Sequence, residues 1–318
     1  MSFLTTFQTT FTAVAQIFVM GTVGYFLVRR KIIDEKGLVM LSKLVISLFF
    51  PVFSFYQLIT NFSFSAYPDW WVFPLMSLGI TLGGFLLGGF MVRLFKGIAF
   101  KKDFIAVVGF QNSGFIPLML AATMFSGRMA QEMYIYIFLF LIGFDLVLWS
   151  FGVWFLTRHK VNKFDLKNLF LSPFTAIVIS LILVALGVDR FIPQAVMKPV
   201  KMFGDCALPL AVMTVGGNLA MIDIFAVNKK EISLAVFSKL VFLPLLAFLV
   251  ILAFGIRGPV GFLIMMQAAV PSANSLSVIS RRHQIEDKFL NQGVLFTNIF
   301  SVLTLPVFLT LYMQLGLF

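Results

Sequence analysis

Gln111-Asn112-Ser113-Gly114-Phe115-Ile116-Pro117, QNSGFIP, interrupts an apolar run that extends from about residue 103 to 126, long enough for a membrane span. A spanning helix must satisfy every backbone group internally. A polar, proline-containing gap at its centre gives up helical hydrogen bonds, which is tolerated only where the freed groups face protein or a watery cavity. A second gap, with Pro271, Ser272 and Asn274, breaks a similar run in the other half of the chain. The two gaps together predict a transport site at mid-membrane.

The rest of the composition agrees with a polytopic membrane protein. Of 318 residues, 60% are hydrophobic and 12% charged, against about 25% charged in soluble domains. The net charge of +11 does not point to nucleic acid, because the basic residues collect in short loops between apolar runs. One cysteine, Cys206, rules out an intrachain disulfide. His159 and His283 fall in loops, so no metal site and no cofactor is expected. The first apolar run lacks the basic leader and small-residue cleavage site of a secretory signal and is expected to remain as a span.

With about 20 apolar residues per crossing, ten spans are predicted, at roughly 8–28, 38–60, 70–92, 103–126, 132–157, 172–189, 196–221, 231–256, 258–280 and 290–316. The loops after the odd-numbered spans carry Arg29, Arg30, Lys31 and Lys36; Arg93, Lys96, Lys101 and Lys102; Arg158, Lys160, Lys163 and Lys167; Lys229 and Lys230; and Arg281, Arg282 and Lys288. The opposite side holds Arg128, Arg190, Lys198, Lys201 and Arg257. The positive-inside rule then places both termini outside, for a multi-pass protein of the plasma membrane.

Five spans on each side of the midpoint suggest a duplicated unit, and an odd number of spans inserts its two copies with opposite topology. Lys43 precedes Pro51 by eight residues in span two, and Lys201 precedes Pro209 by eight in span seven. Gln111 and Gln267 lie just before their polar breaks at nearly the same offset. The expected architecture is all-α, with a first repeat over residues 1–157, a cytoplasmic linker over 158–171 and an inverted second repeat over 172–318. Transporters of this plan place substrate at the repeat interface near the midplane.

Four stretches, LSKLVISLFFPVFSF in span two, NSGFIPLML in span four, LPLAVMTVGGNLA in span seven and VPSANSLSVIS in span nine, resemble the auxin efflux carrier family in its small prokaryotic form. The resemblance covers essentially the whole chain. It implies ten spans in two inverted five-helix repeats, with helices four and nine broken and crossing. It also implies carriage of an organic acid such as malate or malonate. The long hydrophilic central loop of many plant members is missing here, so nothing singles out auxin.

Several residues stand out as candidate ligands. Asn112 and Ser113 are expected to cap the half-helix restarting near Pro117, with Gly114 allowing close approach of the crossing chain. Gln267, Pro271, Ser272, Asn274 and Ser275 are expected to play the same part in span nine. A half-helix N-terminus carries partial positive charge and suits a carboxylate; an ordinary proline kink would read similarly. Asp145, mid-span in GFDLVLW, is costly in lipid and a candidate for the coupling proton, or else a buried acid held by a neighbouring donor. Asp205 is placed to pair with Lys201 one turn away. Lys239, about ten residues into span eight, is too deep for easy snorkelling and is expected to meet a buried acid or an anionic substrate. Lys43 sits shallow enough to snorkel. Gln16, Gly216, Gly217, Asn218, Thr297 and Asn298 are further candidates for the cavity wall, although glycines in membrane helices more often mark close packing.

These features favour a secondary carrier of a small organic anion, a mono- or dicarboxylate, coupled to protons, with sodium an open alternative. No phosphate-binding GxxxxGK[ST] loop is present. HExxH and GxSxG are absent, and the sequence before Asp145, LIGFD, lacks the second glycine of intramembrane aspartyl proteases, so enzymatic chemistry is not expected. A channel or ligand sensor on the same fold is the alternative. The bilayer and the substrate are the expected partners; oligomeric state stays open, a homodimer included.

Overall fold

Uniformly apolar runs become helices, and polar or proline-rich gaps end them. The computed structural model describes residues 3–157, 173–222, 229–283 and 288–318. The helices are α1 (Phe3–Arg29), α2 (Glu35–Asn61), α3 (Val72–Leu94), α4 (Lys101–Gly109), α5 (Phe115–Met124) and α6 (Gly127–Thr157). They continue with α7 (Pro173–Ala185), α8 (Gln194–Ala220), α9 (Lys229–Phe254), α10 (Gly258–Ala269), α11 (Ser275–Arg282) and α12 (Lys288–Gln314). Seven of them, α1, α2, α3, α6, α8, α9 and α12, are long and apolar enough to cross a membrane. Large apolar side chains such as Leu82, Leu86 and Phe90 on α3 and Leu245 and Leu249 on α9 face outward, as lipid contact requires. The protein is an all-α membrane protein.

The two polar gaps do break their helices. Between α4 and α5, and again between α10 and α11, the chain leaves the helix for a few residues, and those residues pair with each other. Gln111 and Ser272 form an antiparallel bridge, the one strand-like contact among the described residues. The expected linker over 158–171 lies outside the described residues, as does His159.

Proline also shapes the unbroken helices. It cannot donate to the carbonyl four residues back, and its ring collides with that carbonyl. Just ahead of Pro51 the helix α2 widens into a π-type turn at Val45–Phe49, and α9 does the same at Ser238–Phe242 ahead of Pro244. A third wide turn, Leu148–Gly152 in α6, has no proline; there Gly152 makes room for the ring of Phe110, which a β-carbon would meet at 2.7 Å.

Helix α1 lies along α8, while α2 packs on α7 and on the first half of α8. The α1–α8 contact is backbone against backbone. A β-carbon on Gly216 would overlap the carbonyl of Gly21, and one on Gly24 the carbonyl of Met213. Gly216 therefore has a packing role, the commoner use of glycine in membrane helices. Around the crossing, α3 packs on α4 and α6, and α10 packs on α9 and α12.

Candidate functional site

The crossing is held by backbone first. Asn112 N–H donates to the Pro271 carbonyl at 2.8 Å, and Ala273 N–H donates to the Phe110 carbonyl at 2.9 Å. Side chains complete the join. Ser272 Oγ donates to the Val107 carbonyl at 2.6 Å, and Gln267 Nε2 donates to the Ser113 carbonyl at 3.0 Å. Gln111 Nε2 reaches Thr81 Oγ1 on α3 at 3.3 Å, and Thr297 Oγ1 on α12 accepts from Ser272 N–H at 3.2 Å. These bonds meet the Val107, Phe110, Ser113 and Pro271 carbonyls and the Asn112, Ser272 and Ala273 N–H groups freed by the two breaks, as an apolar surrounding demands.

Beside the join is a cavity of about 60 Å³. That is room for several waters or a small ligand group, since one water needs about 10–15 Å³ on this measure. The breaks contribute Asn112, Ser113, Gly114, Asn274 and Ser275 to its wall; α2 contributes Phe50, and α6 contributes Leu141, Asp145 and Trp149. Asn112 and Asn274 are buried, and neither Nδ2 has a hydrogen-bond partner among the described residues. Asn274 Oδ1 accepts from Asn298 Nδ2 at 3.3 Å, which fixes the orientation of that amide.

The N-terminal ends of α5 and α11 open on the same cavity, at Gly114–Phe115 and at Asn274–Ser275. First-turn N–H groups have no intrahelical acceptor and sum to a partial positive charge. Pro117 falls in the first turn of α5, where a missing N–H removes no helical bond.

Some expectations need correcting. Neither Asn112 nor Ser113 caps α5: the cap is Gly114, with no side-chain hydrogen bond. Ser113 Oγ turns back toward the Gln111 carbonyl at 3.5 Å, and Asn112 lies in the cavity wall without a side-chain bond to α5. Nor does Gly114 meet the crossing chain; a β-carbon there would meet the Phe50 ring at 3.3 Å. Gln16 is exposed on α1 and does not line the cavity.

Pro271, Ser272, Gln267 and Thr297 serve the join and stand behind the cavity wall. Asp145 is 5% exposed and in the wall. Asp205 is exposed on α8 and pairs with Lys201 Nζ at 2.6 Å, away from the cavity. Lys239 is fully buried in the wide turn of α9, Nζ without a hydrogen-bond partner among the described residues, and is likewise outside the cavity wall. Of its two expected partners, a buried acid or an anionic substrate, the acid is not met: Lys239 forms no ion pair among the described residues.

Phe50, Leu141 and Trp149 went unnoticed in the sequence because an aromatic or leucine in an apolar helix carries no local mark of which face it is on. Thr81 escaped for the same reason; its position opposite Gln111 appears only when α3 and α4 are packed.

The model of a family described as membrane transport protein matches residues 9–158 and 156–309. No curated protein matches the chain. Matched over nearly its whole length, and folded as apolar helices around two paired breaks, the chain belongs to the membrane transport protein family that comprises the auxin efflux carriers, and is a multi-pass membrane transporter.

Proposed function

We propose that this transporter is a secondary carrier of a small organic anion, a mono- or dicarboxylate such as malate or malonate, working by alternating access around the crossing. The observation that carries this reading is the convergence on one cavity of two helix N-termini and of Asn112 and Asn274, buried asparagines whose Nδ2 groups have no hydrogen-bond partner among the described residues. Each helix terminus contributes about 0.3–1 kcal/mol toward an anion, up to about 2 when partly buried. Asn112 and Asn274 add hydrogen bonds to a charged acceptor, which are the stronger kind.

In this reading α4 with α5, and α10 with α11, are the fourth and ninth of ten spans in two inverted repeats, 1–157 and 172–318, joined by the linker 158–171. The antiparallel sense of the Gln111–Ser272 bridge supports opposite directions for the two broken spans. The loop charges support termini outside the plasma membrane. Motion of the crossed unit against α1, α2, α7 and α8 would expose the cavity to each side in turn.

Asp145 is the coupling group. A carboxylate beside an anion site repels the substrate when charged, so protonation of Asp145 and anion binding favour one another. Coupling to protons follows from that linkage.

The test is uptake by proteoliposomes against a panel of mono- and dicarboxylates at varied pH and sodium. Saturable uptake of at least one carboxylate, faster with an inward proton gradient, is the expected result. No response to any organic anion would overturn the substrate class, and large unitary currents in planar bilayers would replace the carrier by a channel.

A further inference from the structure

The turn between α1 and α2 holds a second site, none of whose residues lines the cavity at the crossing. An open crevice of about 520 Å³ there is formed by Lys31, Asp34, Gly37, Met40, Leu41 and Leu44, with Ile32 and Ile33 between them. Its size is that of an ordinary small-molecule pocket, about 300–1,000 Å³.

Lys31 is the feature that marks it. Helix α1 ends by wrapping its last carbonyls: Lys31 N–H donates to Val28 at 2.9 Å and Ile32 N–H to Leu27 at 3.0 Å. That geometry needs a left-handed residue, and Lys31 adopts φ 57°. Glycine is usual there because a β-carbon is strained in this conformation. Every other described residue with positive φ is a glycine. A strained lysine in place of an easy glycine points to a use for its ammonium.

The surroundings identify what that ammonium would meet. Arg29, Arg30 and Lys36 are exposed on the same turn. The nearby carboxylate of Asp34 is occupied, accepting from Gly37 N–H at 2.8 Å at the start of α2, where helix polarity favours its charge. Glu35 sits in that first turn as well; residues 29–36 hold four basic and two acidic side chains, a net positive segment beside Lys31, with Arg29 Nε bonded back to Tyr25 Oη at 3.2 Å. The floor is apolar, with Met40 63% and Leu44 43% exposed. From Asp34 to Leu44 the helix rises about 15 Å, half of a hydrocarbon core about 30 Å thick. The crevice thus has a charged mouth at headgroup level and an apolar floor running into one leaflet.

We propose that this crevice binds an anionic phospholipid, with its phosphate at Lys31 and one acyl chain along Met40, Leu41 and Leu44. The assignment rests on α1 and α2 crossing the membrane and is independent of the organic-anion reading. Its consequence is a fold steadied by acidic lipid at the cytoplasmic end of α1, the side the loop charges select.

The test uses the full chain in nanodiscs of phosphatidylcholine, with and without phosphatidylglycerol, and reads thermal unfolding. The wild type is expected to melt about 3 °C higher with phosphatidylglycerol, and Lys31→Arg to keep that increment. Lys31→Gly and Lys31→Asn, both at ease with positive φ, are expected to lose it. In phosphatidylcholine alone Lys31→Gly should melt no lower than wild type, which separates loss of lipid from loss of fold. Equal increments in wild type and both neutral variants, or no increment in wild type, would overturn the site. A matching shift from free glycerol 3-phosphate in phosphatidylcholine discs would also overturn it, by assigning a soluble phosphate instead.

Discussion

The hydroxyl of Ser272 donates to the carbonyl of Val107 across 2.6 Å, so the residue that interrupts one helix supplies a donor missing from the end of the other. Val107 lies in the last turn of α4, where carbonyls have no helical donor ahead of them. The two breaks are therefore one structure. Ser272→Ala should leave that carbonyl buried and unsatisfied, at about 1–3 kcal/mol. A lowered melting temperature in detergent, with Ser272→Thr restoring part of it, is the expected outcome. An unchanged melt would mean that water replaces the hydroxyl at no cost.

Asn112 and Asn274 present the opposite case, since their Nδ2 groups have no hydrogen-bond partner among the described residues. Replacing either by alanine removes a donor that stabilises nothing in the unliganded fold. Asn112→Ala and Asn274→Ala should abolish carboxylate uptake while membrane expression and melting temperature stay near wild type. Asn274→Ala carries one complication, because its Oδ1 accepts from Asn298. Asn298→Ala should consequently weaken uptake less than Asn274→Ala does. Near-normal transport in both the Asn112 and Asn274 variants would remove the crossing from substrate binding.

Asp145 shares its cavity with these amides. Asp145→Asn keeps the shape and removes the titration. Uptake driven by a proton gradient should be lost in this variant, while counterflow of the same carboxylate at equal pH on both sides persists. The flat pH profile is the diagnostic, because a purely structural role would lower both activities together. Unchanged pH dependence would take Asp145 out of the mechanism.

Much of this arrangement was legible in the sequence, for a physical reason. In an apolar run a buried polar residue is expensive, so Asn112, Ser272, Asn274 and Asp145 announce themselves by type alone. The helix ends follow from the same contrast and fall within a few residues of expectation. What the sequence did not carry is rotation about the helix axis and long-range partnership. Gln16 lies on a helix apolar on every side, where periodicity cannot say which face turns inward, and it proves to be exposed. Gln267 and Ser113 are 154 residues apart, and no local pattern joins them. Asn112 was expected to cap a helix because asparagine commonly does; its N–H is instead tied to the Pro271 carbonyl across the join, and Gly114 takes the cap position.

Lys239 gives the sharpest separation of stability from function. It lies ten residues beyond Lys229, about 15 Å along the apolar helix α9. Its side chain is fully buried, and Nζ has no hydrogen-bond partner among the described residues. An ionisable group buried without a partner opposes folding, and replacing such groups by apolar side chains of similar volume is often neutral or stabilising by about 1–4 kcal/mol. Methionine keeps the length of the stem and its packing. Lys239→Met should therefore melt at or above the wild-type temperature. Carboxylate uptake should nonetheless fall about tenfold or more, because an ionisable group kept at this depth against its own cost is one that the transport cycle uses. Lys239→Arg, which keeps the charge, should recover part of the rate. If Lys239→Met instead melts well below wild type, the ammonium is a structural partner; if it melts higher and transports normally, the charge has no part in the cycle.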